Sequence, residues 1–313
     1  MDPARTDPAP SVTILSEAQW RQREEDHRRR VEPFTEPYLR RRSAGQKHPV
    51  EDFLFTYYSH KPGQLRRWHP GPGVVLTGEA AAERASWKFH RQLDAGEVAG
   101  LGLEVGTTAV ALDLPKFAAE RASAVDFSRI ILGRTKDRSP HFGCFGLHEW
   151  AMVYRVEPDD VRHEYLPLRL GSSGTDHVVE QSRIKCSHID AFRFFTDEAA
   201  PRNELQPTRQ TQRDLEQPGC LHANMDLYKW AYKLSPAIPS ELLMDCFELS
   251  WRIRRMDMQA SPYDLSDWGY EPIRIETPDG KAQYAKGQRE FAAEAQILRA
   301  SLCKVVDDLT LSG

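Results

Sequence analysis

The chain has 313 residues, 40% hydrophobic and 28% charged, with a net charge of −4 at neutral pH. That composition is ordinary for a water-soluble globular protein able to bury a sizeable core. It argues against broad electrostatic attraction to nucleic acid, and no apolar run approaches the ~18 residues of a membrane helix. Five cysteines, odd in number and widely spaced with no secretory signal ahead of them, read as reduced thiols in a cytoplasm.

Residues 1–12, rich in Pro, Ala and Asp, read as a disordered tail, and 13–313 as one mainly helical domain with a minor hairpin or small sheet. Ser16 is placed to cap a helix through Phe34 whose acids come early and arginines late, complementing its dipole. Arg40, Arg41 and Arg42 form a second basic cluster; both clusters read as solvated faces, with phosphate contact the alternative. VEDFLFTYYSH is aromatic and buried, and VVLTG after the Pro-Gly turn at 70–73 reads as a short strand.

Residues 79–96 and 114–133 are expected to be helical, the second with Leu114, Phe117, Ala118, Ala122 and Val125 at helical spacing. HFGCFGLHEWAMVYR reads as a buried helix after Gly143. LPLRLG, HVVEQ and RIKCSHID read as extended. The polar stretch 201–219 reads as a functional loop or lid. Helices follow over LHANMDLYKWAYKL, over SELLMDCFELSWRIRRMDM, and from QYAKGQREF toward the C-terminus.

Three cysteines stand close to histidines in aromatic stretches: Cys144 with His148, Cys186 with His188, and Cys220 with His222. Acids stand nearby at Glu149, Asp190 and Asp226. Helical spacing puts Cys144 and His148 on one face, and likewise His222 and Asp226, with Lys229 and Trp230 continuing that side. In a strand, Cys186, His188 and Asp190 would share a face. His148, His188 and His222 are therefore expected to converge on one centre. Its donors suit a divalent metal: Zn with Cys and His, or non-haem Fe or Mn with His and carboxylate. No CxxC, HExxH or finger spacing is present, and structural cysteines with hydrogen-bonded histidines are the plainer alternative.

A second constellation interleaves aromatics with His60, Arg66, Arg67 and His69, types that stack bases and pair with phosphates. A third is the polar loop with Arg202, Asn203, Thr208, Arg209 and Gln210, where an arginine such as Arg209 offers to clamp a phosphate or carboxylate.

The strings HPVEDFLFTYYSHKPGQLRRWHPGPGVVL, HFGCFGLHEWAMVYR, CSHIDAFRFFT and PGCLHANMDLYKWAYKL resemble a family of actinobacterial proteins commonly labelled 3-methyladenine DNA glycosylase, over most of residues 47–295. The resemblance implies excision of alkylated purines from DNA, with the damaged base extruded into an aromatic pocket. Neither the zinc-binding His and Cys pattern of the type I alkyladenine enzymes nor the hairpin-plus-aspartate of type II is present, so no catalytic residue carries over from them. By its own chemistry, excision needs a carboxylate to stabilise an oxocarbenium-like transition state or activate water. Asp226, with Tyr228 and Trp230 as pocket wall, is the first candidate, then Glu149, then Asp190, with Arg66, Arg67 and Arg209 toward the substrate. The rival readings are a metal-dependent enzyme acting on a small molecule through His148, His188 and His222, and a non-catalytic binding protein.

Overall fold

The computed structural model describes residues 12–156 and 166–311, so the expected tail lies, but for Val12, outside the described residues. Helix dominates: the described residues hold thirteen α-helices and one sheet of four short strands. The chain opens with β1 (Thr13–Leu15) and the 27-residue α1 (Glu17–Ser43). Ser16 caps α1 in a reciprocal capping box with Gln19. The helix continues through Pro33 and Pro37, further than expected, so Arg40 to Arg42 form its last turn. Much of the basic charge is paired: Arg30 reaches Glu248 and Asp245, each at 2.7 Å, and Arg41 reaches Asp52 at 2.6 Å.

Two short helices, α2 (Phe53–Tyr57) and α3 (Pro62–Leu65), lead to β2 (Val74–Thr77). After α4 (Ala81–Arg84) come β3 (His90–Gln92), α5 (Ala95–Gly100) and β4 (Ala109–Leu112). The expected helix over 79–96 is thus a single turn followed by a strand. The sheet order is β1-β2-β4-β3, with β1 parallel to β2 and the other pairs antiparallel. Of the segments expected to be extended, only VVLTG joins this sheet.

Beyond α6 (Leu114–Lys136), the single-turn α7 (Leu147–Ala151) replaces the longer helix expected after Gly143. Gly146, at φ +71°, makes the turn that starts it, where Ala260 and Tyr284 lie 3.4 Å from a would-be Cβ. HVVEQ is helical, within α8 (Gly171–Glu180). Of two further short helices, α9 (Ile189–Phe192) precedes the polar stretch 201–219 and α10 (Gln212–Leu215) lies within it.

Three long helices complete the fold: α11 (Leu221–Lys233), α12 (Ser240–Gln259) and α13 (Pro278–Leu311). The antiparallel pair α11 and α12 makes the most extensive helix contact, with α13 crossing both and also lying along α6. Leu227, Tyr228, Leu243, Phe247 and Ile253 are fully buried between them. Each such side chain contributes roughly 1.5–3 kcal/mol by leaving water. This core also encloses polar groups: Glu149, Asp226, Arg254 and Asp257 are each at most 5% exposed.

Candidate metal centre

The site is built where α7, the approach to α9, the loop before α11, and α11 and α12 meet. His148 comes from α7, His188 caps the start of α9 in extended conformation, and His222 lies in the first turn of α11. The structure brings the three together. The ring of His222 lies 4.5 Å from that of His148 and 5.4 Å from that of His188, centroid to centroid.

Their ligand atoms fall into two sets. In the first, His148, His222 and Asp257 offer atoms all within 4.8 Å of one another. His148 Nε2 lies 3.1 Å from Asp257 Oδ2, while its Nδ1 lies 3.7 Å from Cys144 Sγ. The second set is His188 with Glu216 and Asp226, also mutually within 4.8 Å. Here His188 Nε2 is 3.3 Å from Glu216 Oε1 and 3.3 Å from Asp226 Oδ2. Metal–ligand bonds of ~2.0–2.1 Å imply neighbouring donors about 3–3.4 Å apart, which is the spacing of the pairs His148–Asp257, His188–Glu216 and His188–Asp226.

Orphaned atoms mark the same places. His188 Nδ1 is buried with no hydrogen-bond partner, while its Nε2 lies 3.3 Å from both Glu216 and Asp226. Asp257 Oδ1 is likewise buried without a partner. Buried polar atoms are seldom left in this condition unless something else satisfies them.

The centre interleaves buried carboxylates with imidazoles and cationic side chains. Burial alone would depress the histidines, but Asp257 beside His148, and Glu216 with Asp226 beside His188, outweigh it and raise both above the ordinary imidazole range. His222 is pushed well below that range, by burial and then by its two histidine neighbours. Burial raises Glu216, whereas for Asp226 the opposing Lys229 and His188 prevail and hold its carboxyl far down. Lys229 Nζ donates to Asp226 at 2.8 Å and to Asp190 at 3.0 Å, and these carboxylates keep it charged in spite of burial. Arg209 also pairs with Asp190.

A hollow of about 280 Å³ opens onto this centre. Phe53, Tyr57, Met152 and Phe194 give it an apolar wall, and Glu149, Arg254, Asp190 and His222 a polar one. Arg254 Nη1 donates to Glu149 at 2.6 Å and its guanidinium stacks 4.0 Å over Phe53. His222 therefore connects the hollow to the first set. On its far side His222, His148, Cys144, Cys186 and Cys220 border a second, much smaller gap.

Several expected site residues stand elsewhere. Tyr228 and Trp230 are core residues that do not line the hollow: Tyr228 hydroxyl meets His60 Nδ1 at 3.0 Å, and Trp230 packs on Phe127. Helical spacing turns Tyr228, two residues on, away from Asp226, whereas Trp230 shares the side of Asp226 but packs into the core. Arg66 pairs with Glu36 on α1, and Arg67 lies at another hollow. Asp226 belongs to the second donor set but does not line the hollow, its Oδ1 accepting from Tyr58 at 2.9 Å. The cysteines are all free thiols, and none belongs to either donor set. Glu216 and Asp257 were not singled out from sequence. Comparison with protein-family models, with curated proteins and with solved structures finds no match.

Proposed function

We propose that this protein is a metal-dependent enzyme acting on a small molecule bound in the hollow beside His222. The observation that carries this reading is the two-histidine, one-carboxylate set of His148, His222 and Asp257, with Asp257 Oδ1 left without a partner. Such a set leaves coordination positions open and suits non-haem Fe(II), Mn or catalytic Zn. Bound there, the ion would supply Lewis acidity or redox chemistry.

The chain's own residues have distinct parts. Cys144, at His148 Nδ1, and Arg254, 3.7 Å from Asp257 Oδ2, hold these two donors in place. Phe53, Tyr57 and Phe194 keep water off an apolar substrate body, and the Glu149–Arg254 pair orients a polar end. His188, Glu216 and Asp226 form a second candidate cation seat adjoining the first. Base excision from DNA is supported less well, because Asp226 is engaged by Tyr58, Lys229 and His188 and the aromatics Tyr228 and Trp230 are in the core.

Metal analysis of the purified full chain, and reconstitution with Fe(II), Mn and Zn, test the reading. Stoichiometric metal is expected in the wild type, with loss in His222→Ala and Asp257→Asn. Wild-type protein that takes up none of the three ions would overturn it, and release of alkylated purines from methylated DNA by metal-free protein would restore the glycosylase reading.

A further inference from the structure

At the C-terminal end of α11, where Tyr232 lines it, lies a larger hollow of about 560 Å³. Its wall carries Arg67, Lys88 and Arg121, from three separate stretches of chain, together with His60, His69 and Ser86; among the described residues no acidic side chain lines it, although Lys88 reaches Glu120 at 3.4 Å. Trp87 forms part of the floor, with Arg67 5.8 Å over its ring and the buried Arg84 3.8 Å from it. The volume lies in the range of ordinary small-ligand sites.

Two buried nitrogens at this place have no partner within the protein. His69 Nδ1 and Arg121 Nε are both buried and unbonded, although the other end of the Arg121 guanidinium donates to the carbonyl of Lys233. Burial pushes His69 down to about 3, and the cationic neighbours His90, Arg84 and Arg67 push in the same direction.

We infer that this hollow binds a small phosphate-bearing ligand, its anionic group held by Arg67, Arg121 and Lys88. Guanidinium pairs suit phosphate because their planar N–H donors match its oxygens two at a time. His69, neutral at physiological pH, and Ser86 supply uncharged hydrogen bonds beside them. The site is independent of the metal reading, since it shares no lining residue with the hollow at His222.

Calorimetric titration of the full chain with inorganic phosphate, with AMP and with adenosine tests the inference. Binding of phosphate and AMP but not of adenosine is expected, and a tighter AMP complex would identify a nucleotide rather than free phosphate as the source. Arg67→Ala should weaken binding by roughly tenfold or more, as losing a charged hydrogen-bond donor does. Because Arg121 also ties α6 to the end of α11, Lys88→Ala, at an exposed position, serves as the variant whose fold is secure. Failure of both phosphate and AMP to bind, equal binding of adenosine, or affinities unchanged in Arg67→Ala and Lys88→Ala would each overturn the proposal. So would binding restricted to oligonucleotides.

Discussion

Replacing Arg254 by methionine removes a buried guanidinium beside the first donor set while conserving most of the side chain's length. The guanidinium is 3% exposed, donates to Glu149 Oε1 at 2.6 Å, lies 3.7 Å from Asp257 Oδ2 and stacks on Phe53. Its loss takes the guanidinium away from two buried carboxylates, Asp257 keeping His148 at 3.1 Å, a change that costs about 3–5 kcal/mol. With an unfolding entropy of ~2.1 cal/mol/K per residue over this chain, that corresponds to a fall in Tm of roughly 5–8 °C. Urea or thermal unfolding measures it. In a double-mutant cycle, Glu149→Gln should recover a substantial part of the loss, because the pair rather than either residue is the unit. Added Zn²⁺ or Mn²⁺ should stabilise Arg254→Met through Asp257, by about 2.7 kcal/mol at a hundredfold excess over Kd. A loss below ~1 kcal/mol, or a cycle with no coupling, would show that the carboxylates are not held as buried anions and would remove the electrostatic basis of the centre.

His60 is 5% exposed and burial lowers it to about 4, so the unfolded chain takes the proton first as the pH falls. Its contribution is complete above the ordinary histidine range and declines below it: stability should drop by about 2 kcal/mol between pH 7.5 and 5 on its account. His60→Asn should flatten that part of the pH–stability curve, and an unaltered slope would rule the attribution out. Gly219 lies where a Cβ would stand 2.5 Å from the His141 carbonyl oxygen, so Gly219→Ala must shift the chain just ahead of His222. A cost of roughly 1–3 kcal/mol is expected, together with weaker metal uptake; unchanged metal affinity would show that the start of α11 does not set the geometry of the donors.

The long elements were legible because their apolar residues repeat at helical spacing over many turns. That holds for α6, α11 and α12, and Ser16 with Gln19 announced the start of α1. HVVEQ misled because Val178 and Val179 are β-branched, yet they are simply the buried side of α8. The strand at His90–Gln92 was hidden in a run of alanines and charges that favours helix locally, and its pairing with β4 is a long-range contact. The three histidines could be singled out by their aromatic and acidic company. Glu216 and Asp257 could not, since one sits in a polar loop and the other ends an arginine-rich helix, where acids are usually solvated. Only the fold turns them inward.

The stretch from Pro201 to Gly219 delivers Glu216 to the centre, yet little of it contributes to the main core. Its moorings are polar: Asn203 exchanges hydrogen bonds with the backbone of Cys186, Arg138 reaches the Glu216 carbonyl at 2.8 Å, and Gln217 bonds the backbone of His141 in both directions. The ion pairs Arg209–Asp190 and Arg134–Asp214 are the outermost fastenings, each with an arginine more than half exposed. A segment tied down this way opens at a lower free energy than helices packed on one another. Amide exchange across 201–219 should therefore run faster than in α11 and α12 and accelerate with added salt, which screens the outer pairs. The rate at which solvent and ions reach His188 is then set by this strap, while the helices behind it remain folded.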